Sequence, residues 1–244
     1  MKKSIQVCLT PALLDTFDLT DKIVVVIDIL RATTSMCVAL HQGVEHIVPV
    51  ETLEECESYA DKGYIVAAER NGEVINGFAY GNSPYSFMDP SLEGKTLAMT
   101  TTNGTRALHA ASDAKQIVAG AFANMSVLID WLVSENENIV LLCAGWKNKI
   151  NLEDTIFAGA MVEALREHFE PIDDASIIAL CLQQAATVDK RFYLENSSHF
   201  NRLIRLNLQR DVKYSLRRDT HPVLPFYYNG VLIDGIAHRR AMSG

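Results

Sequence analysis

The chain has 244 residues, a formal net charge of −8 and 48% hydrophobic side chains, with no composition break to divide it, so one domain over residues 1–244 is expected. So acidic a balance argues against general nucleic-acid binding, which rests on basic surface, although local Arg, Lys or a metal can still hold a small anion. The five cysteines (Cys8, Cys37, Cys56, Cys143, Cys181) are odd in number, far apart and mostly set in apolar runs, the pattern of reduced thiols in a cytoplasmic protein. The stretch between Met1-Lys2-Lys3 and Thr10-Pro11 is too short for an export signal, and no run reaches membrane-spanning length, so neither export nor membrane insertion is expected.

Residues 22–27, Lys-Ile-Val-Val-Val-Ile, form a β-branched run without helical period, which predicts a strand buried on both faces. Runs at 46–50, 64–68, 95–100, 116–119 and 138–143 predict further strands. Apolar residues at three-and-four spacing predict helices over 33–42, 52–62, 104–112, 125–135 and 153–168. This alternation is the mark of an α/β layered fold. From about residue 187 the pattern is less regular. Helical spacing over 176–187 and 198–208 gives way to a Pro-punctuated stretch at 222–225, where additional strands or an irregular cap are expected. The basic residues of this part, among them Arg202, Arg205 and Arg210, interleave with Leu203, Ile204, Leu206 and Leu208, and read as the solvated side of an amphipathic helix.

In an open α/β sheet ligands sit beyond the carboxyl ends of the strands, and four such places carry chemistry. After the first buried strand come Asp28, Arg31, Thr33, Thr34 and Ser35. The carboxylate suits a divalent metal, and Arg31 with the hydroxyls suits phosphate oxygens. A local Asp28–Arg31 salt bridge with Thr33 or Thr34 as a helix cap is the alternative. Glu69-Arg70 follows another strand, ahead of an Asn71-Gly72 turn, and offers a second metal ligand and an anion clamp, or an ordinary surface pair. Thr100-Thr101-Thr102-Asn103-Gly104-Thr105-Arg106 lies between strand and helix, where small donors can cradle an anion; a plain N-cap would need only one hydroxyl. After Cys143-Ala144-Gly145, Glu153 and Asp154 open a helix, either as dipole-complementing acids or with one of them as a metal ligand.

Several chemistries are excluded by what is missing. Gly94-Lys95-Thr96 lacks the upstream glycine of a P-loop, because Asp89 stands there, and Lys149 occupies the place where a Cys143-based Cys-x5-Arg motif needs arginine. Asp28 is followed two residues on by Leu30, so no Asp-x-Asp nucleophile motif is present, and the seven histidines show no metal-ligand spacing. Water attacking phosphorus, with a carboxylate-held metal and Arg stabilising the charge, is what remains.

Ile-Asp-Ile-Leu-Arg-Ala-Thr-Thr (27–34), Ala-Glu-Arg-Asn-Gly (68–72), Gly-Asn-Ser-Pro (81–84) and Thr-Thr-Thr-Asn-Gly-Thr (100–105), extended by 143–145 and 152–154, together resemble the 2-phosphosulfolactate phosphatase family. The resemblance implies a three-layer α/β/α fold with a largely parallel or mixed sheet. It also implies magnesium-dependent hydrolysis of 2-phosphosulfolactate, a step toward coenzyme M. On the chemistry of the strand ends, Asp28, Arg31 and Glu69 are expected to act in catalysis. Asp28 and Glu69, with Glu153 or Asp154, are expected to hold Mg2+. Thr33, Thr34, Arg70, Thr101, Thr102, Asn103, Gly104, Thr105 and Arg106 are expected to bind a small anionic phospho-acid. A homodimer is compatible with the sequence. Phosphatases of other three-carbon phospho-acids, and a non-catalytic anion binder, are the alternatives.

Overall fold

The computed structural model describes residues 2–70, 73–188 and 190–243. The strands are β1 (Lys3–Cys8), β2 (Ile23–Ile27), β3 (His46–Val50), β4 (Ile65–Arg70), β5 (Glu73–Val74), β6 (Thr96–Thr100), β7 (Gln116–Gly120), β8 (Ile139–Cys143), β9 (Phe169–Pro171), β10 (Pro225–Tyr228) and β11 (Val231–Asp234). The helices are α1 (Ala32–His41), α2 (Leu53–Ala60), α3 (Gly104–Ala110), α4 (Met125–Glu135), α5 (Leu152–Leu165), α6 (Asp174–Ala186), α7 (Lys190–Glu195), α8 (Ser198–Arg205), α9 (Gln209–Ser215) and α10 (Gly235–Ser243). The architecture is α/β with three α/β/α layers. No helix among the described residues is long and apolar enough to cross a membrane.

The strands order as β5-β4-β6-β3-β11-β10-β7-β2-β8-β1-β9. Two parallel blocks flank an antiparallel hairpin: β4-β6-β3 on one side and β7-β2-β8-β1-β9 on the other. All five residues of β2 are buried, as an apolar run paired on both edges and covered on both faces requires. The joining hairpin, β10-β11, comes from the C-terminal region. Its ends turn on Asn229 (φ 49°) and Gly230 (φ 85°), a left-handed pair that forms the two-residue turn matching strand twist. Additional strands therefore do arise there, but as the middle of the sheet and not its border.

Three successive antiparallel pairings, β3 with β11, β11 with β10 and β10 with β7, leave the two parallel blocks running in opposite senses along the ladder. In a flat sheet their carboxyl ends would lie on opposite edges. The sheet instead coils round α1, which touches β3, β7, β10 and β11 and is buried from Ala32 to Leu40. The coiling carries the ends of β2, β4, β6 and β8 to one place.

Leu232, fully buried in β11, sits at the junction of the blocks opposite Ile47. Leu232→Ala should cost about 2–5 kcal/mol through the cavity it leaves. Urea unfolding followed by circular dichroism measures this, and a loss under about 1 kcal/mol would mean the hairpin is not needed to hold the blocks together.

Candidate active site

One cavity lies where those strand ends meet. It is lined by Asp28, Leu30 and Arg31 after β2, Glu69 of β4, Asn82, Thr101–Asn103 after β6, Trp146 and Lys147 after β8, and His199, Arg202 and Leu203 of α8. Asp28, Arg31, Glu69, Thr101, Thr102 and Asn103 are thus brought together from three separate segments. Arg70 is the last residue of β4, and its side chain, like the Asn71-Gly72 turn, lies outside what is described.

Arg31 is 4% exposed and bonds two carboxylates, Glu69 and Asp211 of α9. The local Asp28–Arg31 bridge does not form. Two carboxylates satisfy the buried guanidinium without exhausting its five N–H donors, so part of the fork remains for a ligand in the cavity. Asp28 is 7% exposed. Burial pushes its carboxyl up to about 6, with Glu153 and Glu69 adding to the rise while His199 and the Ala32 N–H oppose it. Loss of hydration is thus the main cause that disfavours the charged form of this carboxyl. Gly104 makes close approach possible: a Cβ there would stand 3.1 Å from Asp28 Oδ2 and 2.7 Å from the Ala32 Cβ.

Other expected ligands turn their polar atoms elsewhere. The Thr33 hydroxyl accepts from the Asp28 N–H at 3.2 Å, and Thr34 donates to the Ile29 carbonyl at 3.0 Å. Both are fully buried, so they shape the strand-to-helix turn and do not reach the cavity. Thr105 donates to the Thr101 carbonyl at 2.7 Å, and the Thr101 hydroxyl accepts from the Thr105 N–H at 3.0 Å. That leaves Thr102 and Asn103 as the outward members of the loop. Arg106 is exposed and lines a neighbouring cavity with Thr102, Asn103 and Asn148.

The acids at the start of α5 separate. Asp154 accepts from the Ile29 N–H at 2.9 Å, the Gly145 N–H at 3.2 Å and Asn151 Nδ2 at 2.8 Å, tying the β2 and β8 loops together. Burial, with Asp28 and Glu153 nearby, pushes its carboxyl upward against those donors. Glu153, with no exposure, receives Ser197 Oγ at 3.0 Å and His199 Nδ1 at 2.6 Å. Among the described residues no three His, Cys, Asp or Glu side chains form a group able to hold a metal ion. The expected trio of Asp28, Glu69 and an α5 acid does not assemble, because the α5 acids are already committed.

His199, Arg202, Lys147, Asn82 and Asp211 were not anticipated from the sequence. Arg202 is half-buried in the cavity wall, which corrects its reading as part of a solvated face, whereas Arg205 and Arg210 are exposed. Asn82 is 9% exposed and its Oδ1 has no hydrogen-bond partner among the described residues, so a donor from a ligand would satisfy it. The Gly81-Asn82-Ser83-Pro84 string held the only sequence signal for that residue. Cys143 is a fully buried thiol, held protonated by burial.

Fold and cavity together define an α/β/α protein whose cavity is lined by both an acid and a clamped guanidinium, groups suited to a small anion. The family model for 2-phosphosulpholactate phosphatase matches residues 8–230, and the chain belongs to that family of phosphoric monoester hydrolases. It is 35% identical over 86% of its length to a probable 2-phosphosulfolactate phosphatase of Thermotoga petrophila, 90% of which is covered. Proteins with the same description from Caldicellulosiruptor saccharolyticus (38% identity; 82% of this chain, 87% of that one) and Gloeothece citriformis (37%; 92% and 96%) are similarly related.

The Asp28 environment has a consequence for stability. Its folded-state pKa lies above the unfolded value of 3.8, so the folded chain binds more protons between about pH 4 and 6, and stability from this group is lost as pH rises through that window. Asp28→Asn, in EDTA, should therefore be more stable than the parent at pH 7, by on the order of 2–3 kcal/mol, and the difference should vanish below about pH 4. Thermal unfolding at several pH values checks this; a variant less stable at pH 7 would mean the carboxylate is well stabilised where it sits.

Proposed function

We propose that this chain hydrolyses 2-phosphosulfolactate to sulfolactate and inorganic phosphate. The observation that carries the reading is that Asp28 and the buried Arg31 line one cavity with Lys147 and Arg202. A phosphorylated three-carbon acid presents several anionic groups on a short frame, and more than one cation is needed to hold it. Arg31 is the phosphoryl ligand in this reading, because its remaining N–H donors can follow charge as it develops on the transferred oxygens. Lys147 and Arg202, with Thr102 and Asn103, take the sulfonate and carboxylate.

Magnesium fits the donors in its usual, largely hydrated form, which asks for one or two protein carboxylates plus substrate oxygens. Asp28, on the cavity wall and outside the Arg31 bridge that engages Glu69, is the residue that would hold it. Bound there it would supply Lewis-acid charge beside the phosphoryl group. Five unpaired thiols support a reducing, cytoplasmic setting.

Phosphate release from 2-phosphosulfolactate, phospholactate and phosphoglycolate, each with and without Mg2+, tests the reading. Magnesium-dependent release fastest from the sulfonated substrate is the expected result. Faster release from another phospho-acid would reassign the substrate, and release from none would favour a binding protein.

Arg31→Lys keeps the charge but loses the planar fork. It should lower kcat about tenfold or more at saturating substrate. If only KM changed, Arg31 would bind substrate and transition state equally, and its proposed role would be wrong.

A further inference from the structure

His199 lies in the first turn of α8 and is 5% exposed, at the cavity wall. Its ring stacks on Trp146, with centroids 5.6 Å apart and planes 22° apart. Its Nδ1 stands 2.6 Å from Glu153 Oε1, and the other Glu153 oxygen accepts from Ser197 Oγ at 3.0 Å. Ser197 is also the N-cap of α8, accepting from the Phe200 N–H. One buried carboxylate thus fixes both the helix start and the imidazole.

Glu153 has no exposure to water, and a carboxylate so placed needs a cation beside it. Among the described residues His199 is its ion-pair partner. The geometry directs Nδ1 at Glu153, which fixes the orientation of the ring. No group among the described residues bonds Nε2, the nitrogen left for the cavity. The other charged groups on that wall are Asp28, Arg31, Glu69, Lys147 and Arg202. Neither arginine can give up a proton, and Lys147 is solvent-exposed.

We infer that His199 is the general acid of the hydrolysis, giving its Nε2 proton to the departing ester oxygen, and that Glu153 is the positioning residue that holds it. This rests on the phosphoric-ester reading above. In the step, a water oxygen forms the new bond to phosphorus and the P–O ester bond breaks, its electron pair staying on the substrate oxygen. The Nε2 proton completes the alcohol. One water hydrogen remains on the product phosphate, and the other restores the imidazolium through solvent. The leaving group is the alkoxide of a secondary alcohol, strongly basic, which is where a general acid contributes most.

The test compares an alkyl ester with an activated one. His199→Asn and Glu153→Gln are assayed on 2-phosphosulfolactate and on p-nitrophenyl phosphate, whose phenolate leaves without a proton near neutral pH. His199→Asn should lower kcat about 100-fold or more on the alkyl ester and less than about tenfold on the aryl ester. Glu153→Gln should show the same split, smaller in size. Equal losses on both substrates, with matching circular dichroism, would overturn the inference and leave His199 as a phosphate-binding or structural group. Should His199→Asn fail to fold, the parent enzyme is assayed with a series of phenyl phosphates. A shallow dependence of rate on leaving-group pKa is expected, and a steep one would overturn the inference. A parent enzyme that releases phosphate from no ester would instead overturn the hydrolysis reading itself.

Discussion

Arg31, Glu69 and Asp211 make a buried charge cluster from three remote stretches of chain: the entry to α1, the end of β4 and the middle of the C-terminal helices. A guanidinium 4% exposed cannot be left unpaired, and removing one partner of such a cluster typically costs about 3–5 kcal/mol. The pairing therefore constrains more than local geometry. It draws α9 down onto the strand ends, and α8, which packs against α9, comes with it. His199 and Arg202 reach the cavity by that route. The residue most suited to hold a phosphoryl group is also the one that closes the wall around it.

A second constraint is the sheet. Parallel strands in each block are joined by crossovers, but the blocks themselves run in opposite senses, and only coiling about α1 brings their carboxyl ends together. The C-terminal hairpin makes that coiling possible by filling the gap between β3 and β7 with antiparallel pairings. The last part of the chain thus completes both the sheet and the site, and a shorter chain ending before β10 would leave two strand edges facing water.

What was legible in the sequence was local. The β2 run announces itself because five consecutive apolar β-branched residues permit little else, and the polar strings after β2, β4, β6 and β8 are visible because strand ends are where such residues are costly without a purpose. The hydroxyls were over-read. Thr33, Thr34 and Thr105 bond the nearby backbone, as short hydroxyl side chains readily do, and a string of threonines does not say which of them faces outward. Asn229-Gly230 between apolar runs carries a hairpin signal that went unread, and nothing local says that the hairpin enters the centre of the sheet. Asp211, His199 and Arg202 were not legible at all. An amphipathic pattern records that a helix has a buried face, but the partner that covers it is set by tertiary docking.

Glu153 and Asp154 show the same limit at its smallest scale. As consecutive acids in a first helical turn they are indistinguishable by composition, and both complement the helix dipole. Successive side chains on a helix point about 100° apart, so the two face different neighbours. Asp154 meets backbone N–H groups of the β2 and β8 loops, where a carboxylate can satisfy three donors at once and lock two strand ends together. Glu153 meets the start of α8, where its two oxygens hold Ser197 Oγ and His199 Nδ1. Asp154 ties the β2 and β8 loops together, and Glu153 fixes the start of α8 and the His199 ring. Exchanging the two residue types would shorten one side chain and lengthen the other by a methylene, enough to misplace both sets of contacts within a close-packed helix start.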